Sequence, residues 1–179
     1  LQTTAGALDL EASARAAHAI AHCRQVDLYG TGGSAVVAAE MEHRFYRIGV
    51  STHAWADVHT GLASASMLGP SDVAIGISNS GETAETIEML RCAGAAGALT
   101  VAITSRHGTP LERIADETLV AAVPHQYLHP ADLSSKHAQL LVLDFLYMLV
   151  MQEDYAGAVA KLDVSAAAVS HAPASRDEM

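Results

Sequence analysis

The sequence predicts an α/β fold, a three-layer sandwich in which a five-stranded parallel sheet lies between two layers of helices. Strand-like and helix-like segments alternate five times along 179 residues, a length that fits one domain. Half of the residues are apolar and only 4% are aromatic, so Ala, Val, Leu and Ile supply the core. This composition suits packed layers of helix and sheet better than an all-β sandwich.

The first half of the chain opens with apolar residues at helical spacing from Leu8 to Ile20. The strand that follows ends in glycines, and Gly49 is a stop signal at the end of the next helix. We expect a helix at 8–20, a strand at 26–29, a helix at 34–48, a short strand at 50–54 and a helix between 57 and 68.

The second half contains the most apolar strand, at 72–77, whose composition indicates burial on both faces. Pro110 begins a short helix, because proline is favoured in a first helical turn. The other expected elements are a helix at 83–96, strands at 99–104 and 117–123, a polar loop at 124–132, a long helix at 135–151 and a last helix at 155–169. We expect the tail from His171 to be frayed.

The composition also limits what the chain binds. A net charge of −10 makes this domain a poor candidate for binding a nucleic-acid backbone by itself. Cys23 and Cys92 form no CxxC pair, which favours a reducing cytoplasm. The sequence has no apolar run of about 18 residues, so we expect no membrane span. The chain starts at Leu1 rather than Met, which we interpret as a sign that a segment is missing upstream.

The first of two loops that carry chemistry is Gly30-Thr31-Gly32-Gly33-Ser34, at a strand-to-helix turn. Glycines let the backbone approach a ligand, and a helix start offers free N–H groups to an anion. A tight turn with a serine N-cap would explain the same residues. Ala35 stands where a dinucleotide fingerprint needs glycine, and no Gly-Lys-Ser/Thr of a Walker A loop follows.

The second loop directly follows the most apolar strand. Its sequence is Ser78-Asn79-Ser80-Gly81-Glu82-Thr83. Three hydroxyls and a glycine at the mouth of a helix can converge on a phosphate without a cation. The alternative is a helix cap formed by Ser80 or Thr83, with Glu82 favouring the helix dipole, but a cap needs only one such residue.

A third segment, at 133–137, opens the long helix. Ser134 is suited to cap this helix. Lys136 and His137 could reach a ligand, either in the same subunit or across a dimer interface. The alternative is an ordinary helix start with solvated charges.

These loops, the order of the elements and the segments 102–104, 109–111 and 115–116 resemble a sugar-isomerase (SIS) domain. The resemblance covers about residues 8–151, and its most specific part is the second loop, which matches the family's S-x-S-G-x-T phosphate loop. It implies a flavodoxin-like topology and a bound sugar phosphate. The expected phosphosugar-binding residues are Gly32, Gly33, Ser34, Ser78, Asn79, Ser80, Gly81, Thr83, Ser134 and Lys136.

Within that superfamily, the chain is most similar to the ligand-binding half of RpiR-type transcriptional regulators. The segments that carry this similarity are Phe45-Tyr46-Arg47-Ile48-Gly49, Asp57-Val58-His59 and the helix after Met151. The similarity implies one domain over 1–179, with a core at about 8–151 and an extra C-terminal helix at 152–170. It also implies a phosphosugar sensor that reaches DNA only through an N-terminal helix-turn-helix domain absent from this chain.

Two other functions stay open. An aldose–ketose phosphosugar isomerase, similar to the hexulose-phosphate isomerases, needs a base near the carbon-bound proton. The candidates are Glu82, His59, His125, His129 and His137. None is flanked by an evident orienting partner, so we assign no catalytic residue and expect no enzyme. A purely structural dimerisation domain is the third function, and the intact set of hydroxyls argues against it.

The sequence gives weak support for a metal and stronger support for self-association. His18 and His22 are four residues apart beside Cys23, a spacing that can bind zinc, but no third ligand follows at a convincing spacing. We therefore expect no metal and no cofactor. The helix at 135–151 is apolar nearly all round, which favours packing both on the sheet and on a partner subunit. We expect a homodimer or a tetramer.

Overall fold

The computed structural model describes residues 1–123 and 134–170. Its centre is a sheet of five parallel strands in the order β2-β1-β3-β4-β5, which confirms the predicted fold class. The strands are β1 (Gln25–Tyr29), β2 (Thr52–Trp55), β3 (Asp72–Ile77), β4 (Leu99–Thr104) and β5 (Glu117–Val120). This order is that of flavodoxin-like folds, in which the strand order reverses between β1 and β3.

Helices cover both faces of the sheet and complete the three layers. They are α1 (Gln2–Gly6), α2 (Leu10–His22), α3 (Gly33–Arg47), α4 (Val58–Ala65), α5 (Ala84–Ala95), α6 (Ser134–Glu153) and α7 (Tyr155–Ser170), with a 3₁₀-helix at Glu112–Ile114. Helices α2, α3 and α6 cover one face of the sheet, and α4 and α5 cover the other.

The central strand β3 shows how the sheet divides the interior into two cores. Ile75 and Ile77 pack towards α2, α3 and α6, whereas Ala74 and Gly76 face α5. A Cβ on Gly76 would lie only 3.1 Å from Leu90 Cδ2, so α5 packs closely against the strand at this point. Every residue of β3 is buried, as its continuous apolar pattern predicted.

The edge strands and one short helix differ from the prediction. β2 begins at Thr52 rather than at residue 50, because its ladder with β1 begins at the pair of Val26 and Thr52. β5 ends at Val120 rather than at residue 123, because β4, on which it pairs, ends at Thr104. The helix expected from Pro110 is a single 3₁₀ turn two residues later.

The amino-terminal helix α1 was not predicted. It is tied down by Thr4, whose buried hydroxyl donates a hydrogen bond of 2.8 Å to the carbonyl of Ala122. The predicted loop at 124–132 and the tail from His171 lie outside the described residues. Within residues 1–123 and 134–170, every helix is too short or too polar to cross a membrane.

Candidate functional site

Two loops leave the sheet at the carboxyl ends of β1 and β3, the neighbouring strands between which the strand order reverses. Ligands of such sheets bind in the crevice at this point. Tyr29 pairs with Gly76, so the loops 30–34 and 78–83 leave the sheet at nearly the same level. Because neighbouring strands lie about 4.8 Å apart, both loops border one crevice.

The loop after β3, residues 78–83, is called the serine loop below. Ser78 is buried, and its Oγ lies 2.9 Å from Thr83 Oγ1 and 3.4 Å from Ser80 Oγ. The same oxygen accepts a hydrogen bond of 3.1 Å from the backbone N–H of Gly81. The backbone N–H of Glu82 donates in turn to Ser80 Oγ at 3.1 Å. Three hydroxyl groups and two backbone N–H groups are thus gathered just ahead of α5.

The backbone of the serine loop is fixed by the end of β4 and by the segment that follows it. Gly81 has a φ of +67°, and a Cβ there would lie 2.4 Å from Thr109 Cβ and 2.7 Å from Thr104 Oγ1. Only glycine fits this conformation and this space. Ser105 donates from its N–H and from its hydroxyl to the carbonyl of Asn79, at 3.1 and 2.6 Å. The hydroxyls are therefore presented by a rigid loop.

Two buried side-chain oxygens in this region have no hydrogen-bond partner among the described residues. They are Asn79 Oδ1, in the serine loop, and Thr104 Oγ1, at the end of β4. Buried polar atoms are nearly always paired, so each of these calls for an explanation by water or by a ligand. Asn79 is a predicted ligand residue, whereas Thr104 was not singled out for this role.

The loop after β1 turns through Gly32, whose φ of +55° suits glycine. Gly33 begins α3, and a Cβ on Gly33 would lie 2.9 Å from Lys136 Cε. The structure thus brings Lys136, a predicted ligand residue of α6, against the first turn of α3. Gln139, also from α6, donates from Nε2 to Ser34 Oγ at 3.4 Å.

The helix-cap alternative does not explain the hydroxyls of Ser34 and Thr83. The N-cap of α3 is Gly32 and that of α5 is Thr83, and neither helix has a side-chain hydrogen bond at its cap. The Thr83 hydroxyl turns instead to Ser78. The first-turn N–H groups of both helices point towards the carboxyl end of the sheet, where they suit an anion.

The predicted ligand residues fall into two groups. The contacts join Ser78, Ser80, Gly81 and Thr83 in one group, with Asn79 in the same loop. In the second group, Gly33 lies against Lys136 of α6, and its neighbour Ser34 is bonded to Gln139 of α6, which was not a predicted ligand residue. Ser134 is the first residue of α6 and lies less than one turn before Lys136. The loops that carry the two groups follow the neighbouring parallel strands β1 and β3, so both groups lie at the same edge of the sheet.

The candidate bases among the described residues are exposed side chains. Glu82 accepts a hydrogen bond of 2.7 Å from Arg106, and both side chains are more than half exposed. His59 lies in the first turn of α4 and His137 in the first turn of α6. Outside the described residues lie the remaining candidates, His125 and His129.

Asp57, two residues before the candidate base His59, has a structural role at the start of α4. Its Oδ1 accepts hydrogen bonds from the N–H and the hydroxyl of Thr60, at 2.9 and 3.0 Å. These bonds lower the pKa of the Asp57 carboxyl. Asp57 is therefore the N-cap of α4.

The sequence model of the SIS domain matches residues 19–149. The chain belongs to the SIS domain family. This SIS domain is 36% identical over 163 residues to the uncharacterised HTH-type transcriptional regulator TTE0211 of Caldanaerobacter subterraneus, covering 91% of this chain and 58% of that protein. It is 35% identical over 138 residues to the HTH-type transcriptional regulator RpiR of Escherichia coli K12, covering 77% and 47%. The chain thus spans about half the length of these relatives.

Two solved structures share the fold of this SIS domain. The Vibrio vulnificus NanR protein complexed with ManNAc-6P matches with a TM-score of 0.90 and 29% identity, covering 97% of this chain and 66% of that one. The phosphoheptose isomerase GmhA of Neisseria gonorrhoeae matches with a TM-score of 0.67 and 19% identity, covering 80% and 86%.

Three residues that support the site of this SIS domain were not predicted from the sequence. Gln139 is only 2% exposed, and a polar residue on the buried face of the apolar helix α6 is a signal that could have revealed it. Ser105 and Thr109 follow β4 in the chain and hold the serine loop in place. Ser105 donates to the carbonyl of Asn79, and Thr109 fills the space next to Gly81. No local pattern in the sequence marks such contacts.

Proposed function

We propose that this SIS domain is the phosphosugar-sensing effector domain of a bacterial RpiR-type transcriptional regulator. It binds a sugar phosphate and thereby controls an attached DNA-binding domain. The observation that carries the proposal is the serine loop, in which the hydroxyls of Ser78, Ser80 and Thr83 converge beside the N–H of Gly81. Two relatives are HTH-type regulators, and a structural neighbour was solved with ManNAc-6P.

A phosphate group suits the serine loop because the donors there are neutral and the hydroxyls can rotate. The hydroxyls of Ser78 and Thr83 bond to each other, and each can turn its O–H towards an anion. The bonds gained are charge-assisted and stronger than the neutral bonds that they replace. The amino-terminal end of α5 adds the positive end of its dipole. A local set of donors can therefore bind an anion despite the net charge of −10.

Lys136 and the loop after β1 provide the opposite side of the proposed site. Lys136 lies against Gly33, so its ammonium group belongs to the same edge of the sheet as the serine loop. A sugar phosphate held between them connects α6 to the start of α5. A ligand shifts an equilibrium only if it binds the two arrangements differently. We infer that the two arrangements differ in the position of the amino-terminal end of α6, and that the ligand selects one of them.

An aldose–ketose phosphosugar isomerase is the second candidate function, because GmhA shares the fold. Its reaction needs a base within reach of a carbon-bound proton. Glu82 is the candidate base within the serine loop, and its carboxylate is paired with Arg106 at the surface. We therefore propose that the domain binds the sugar phosphate without converting it, so that it is not an enzyme.

We further propose that the domain acts in the cytoplasm as a homodimer or tetramer, and reaches DNA only through an N-terminal helix-turn-helix domain outside this chain. Leu141, Phe145 and Met148 follow each other at helical spacing on α6 and belong to neither core of the described residues. We call these three residues the α6 stripe. An apolar stripe of this kind suits a second copy of the chain.

A thermal-shift panel of sugar phosphates, each beside its free sugar, tests the proposed function. A ligand that binds the folded state raises the Tm, so at least one sugar phosphate is expected to stabilise the domain while its free sugar does not. Equal stabilisation by the free sugars would rule out phosphate recognition. Conversion of the stabilising sugar phosphate, followed by NMR, would instead establish the isomerase.

The variant Ser80→Ala assigns the binding to the serine loop. Loss of one charge-assisted hydrogen bond, worth about 1.5–3 kcal/mol, should weaken binding of the stabilising sugar phosphate by about tenfold or more. Ser66→Ala is the matched control, because the exposed Ser66 hydroxyl bonds, within the described part of the chain, to the carbonyl of Ala63 on α4. Unchanged affinity in Ser80→Ala would contradict the assignment.

A further inference from the structure

His18 and His22 lie four residues apart on α2, and the fold brings to them a carboxylate that sequence spacing did not reveal. Glu153, the last residue of α6, places its Oε2 2.9 Å from His18 Nδ1. One ligand atom from each of the three residues lies within 4.8 Å of the other two, and all three residues are exposed. We call these residues the His–His–Glu cluster.

The ring of His22 is oriented by a backbone hydrogen bond. Its Nδ1 lies 2.8 Å from the carbonyl oxygen of His18, so Nδ1 carries the proton and donates it. In the neutral ring, Nε2 of His22 then has a free lone pair, which is the form that binds metals. Metal-bound histidines commonly donate their other ring N–H to a carbonyl in this way.

The distances in the His–His–Glu cluster suit a zinc-sized ion. Two histidine nitrogens, one carboxylate oxygen and a solvent molecule form an open tetrahedral set. With bonds of about 2.0–2.1 Å to the metal, tetrahedral ligand atoms lie roughly 3.3–3.4 Å apart. The 2.9 Å between His18 and Glu153 is near that value, and the ring centroids of His18 and His22 are 4.4 Å apart. Because all three side chains are exposed, small rotations would bring their ligand atoms to this spacing.

The charges next to the His–His–Glu cluster favour a cation. Arg15, one turn before His18, is held by Glu117 through two hydrogen bonds of 2.6 and 2.9 Å, so its charge is compensated. Asp154 follows Glu153 and accepts a hydrogen bond of 3.1 Å from the N–H of Gly157, at the start of α7. Its carboxylate adds negative charge beside the cluster.

We propose that the His–His–Glu cluster is a binding site for a divalent transition-metal ion of the zinc class. The ion takes the place of the proton between His18 and Glu153 and bridges α2 to the end of α6. α7 begins two residues later at Tyr155, so the ion fixes the point from which α7 leaves the α2–α6 layer. Since Mg²⁺ prefers oxygen ligands, the nitrogen ligands discriminate against it.

Calorimetric titration of the untagged chain with ZnCl₂ at neutral pH is the direct test. We expect one tightly bound Zn²⁺ per chain and no binding of Mg²⁺ at the same concentration. At a Zn²⁺ concentration about 100-fold above Kd, the Tm should rise by about 5–10 °C. Co²⁺ should bind at the same stoichiometry and give a visible absorption spectrum that reports its nitrogen and oxygen ligands.

Single substitutions show where the ion binds. His22→Ala and Glu153→Gln are each expected to weaken Zn²⁺ binding by at least about tenfold, because each removes a ligand. His107→Ala is the matched control: His107 Nδ1 lies 2.8 Å from Glu112 Oε1 in an exposed pair of the same kind, outside the three-residue cluster. This control should bind Zn²⁺ like the unmodified chain.

Two results would overturn the proposal. One is unchanged Zn²⁺ affinity in both His22→Ala and Glu153→Gln, which would leave His18 and Glu153 as a plain surface ion pair. The other is a loss in His107→Ala as large as in His22→Ala, which would mean unspecific binding to the ten histidines of the chain. Circular dichroism checks that each variant is folded, and the Co²⁺ spectrum provides a second measure of ligand loss.

Discussion

Gly81 is the residue on which the shape of the serine loop depends. Its φ of +67° and its closeness to Thr104 and Thr109 exclude a side chain, and its N–H bonds to Ser78 Oγ. The hydroxyl residues around it could be predicted from sequence, because their types and their place after a strand are local features. The residues that hold the loop, such as Ser105, could not, because they come from another strand end and act on its backbone.

Gly81→Ala should therefore lower the free energy of unfolding more than the substitution of a glycine at which backbone strain is the only cost. Gly108→Ala is the control, because Gly108 has a φ of +78° but no heavy atom within 4 Å of a Cβ. The left-handed conformation costs roughly 1–2 kcal/mol in either variant. Overpacking against Thr109 adds about 1–3 kcal/mol at Gly81 alone. Urea unfolding measures the difference, and equal losses would show that the loop can move away from Thr109.

At the scale of elements, β3 and β4 occupy the predicted residues because both are runs of buried apolar residues. The predicted bounds of the edge strands β2 and β5 were less accurate, since the ends of these strands depend on the neighbouring strand. Val50 is apolar but lies before the ladder with β1, and its N–H bonds to Phe45 at the end of α3. Apolar character alone does not distinguish such a packed loop residue from a strand residue. The contact between α6 and the loop after β1 likewise depends on the fold and could not be predicted from the sequence.

The contact of α6 with that loop leads to a prediction about Lys136. If its ammonium group faces the phosphate, Lys136→Met should weaken binding of the stabilising sugar phosphate by about tenfold, the effect of losing roughly 1.4 kcal/mol. It should also reduce the salt dependence of binding, because one charge interaction is lost. Lys161→Met, on α7, is the control with the same chemical change. Equal affinity and equal salt dependence in the two variants would place Lys136 outside the site.

Across the whole molecule, α6 joins features that lie far apart. Its 20 residues span about 30 Å, from Lys136 beside Gly33 to Glu153 beside His18. The first end belongs to the proposed phosphosugar site, and the second belongs to the proposed metal site. The α6 stripe lies between them. A ligand that fixes the start of α6 would therefore act on the same helix that we propose joins two subunits.

Self-association through the α6 stripe is tested by Met148→Glu, since Met148 is 50% exposed and tolerates a polar side chain in the monomer. A buried charge without a partner is costly at an interface, so the variant should shift from dimer or tetramer to monomer in light scattering after size exclusion. Val164→Glu, at an equally apolar position of α7 that is 71% exposed, is the control and should keep the assembly. Dissociation of Val164→Glu with an intact Met148→Glu assembly would move the interface to α7. The Tm of the unmodified chain should also rise with protein concentration, because association stabilises only the folded state.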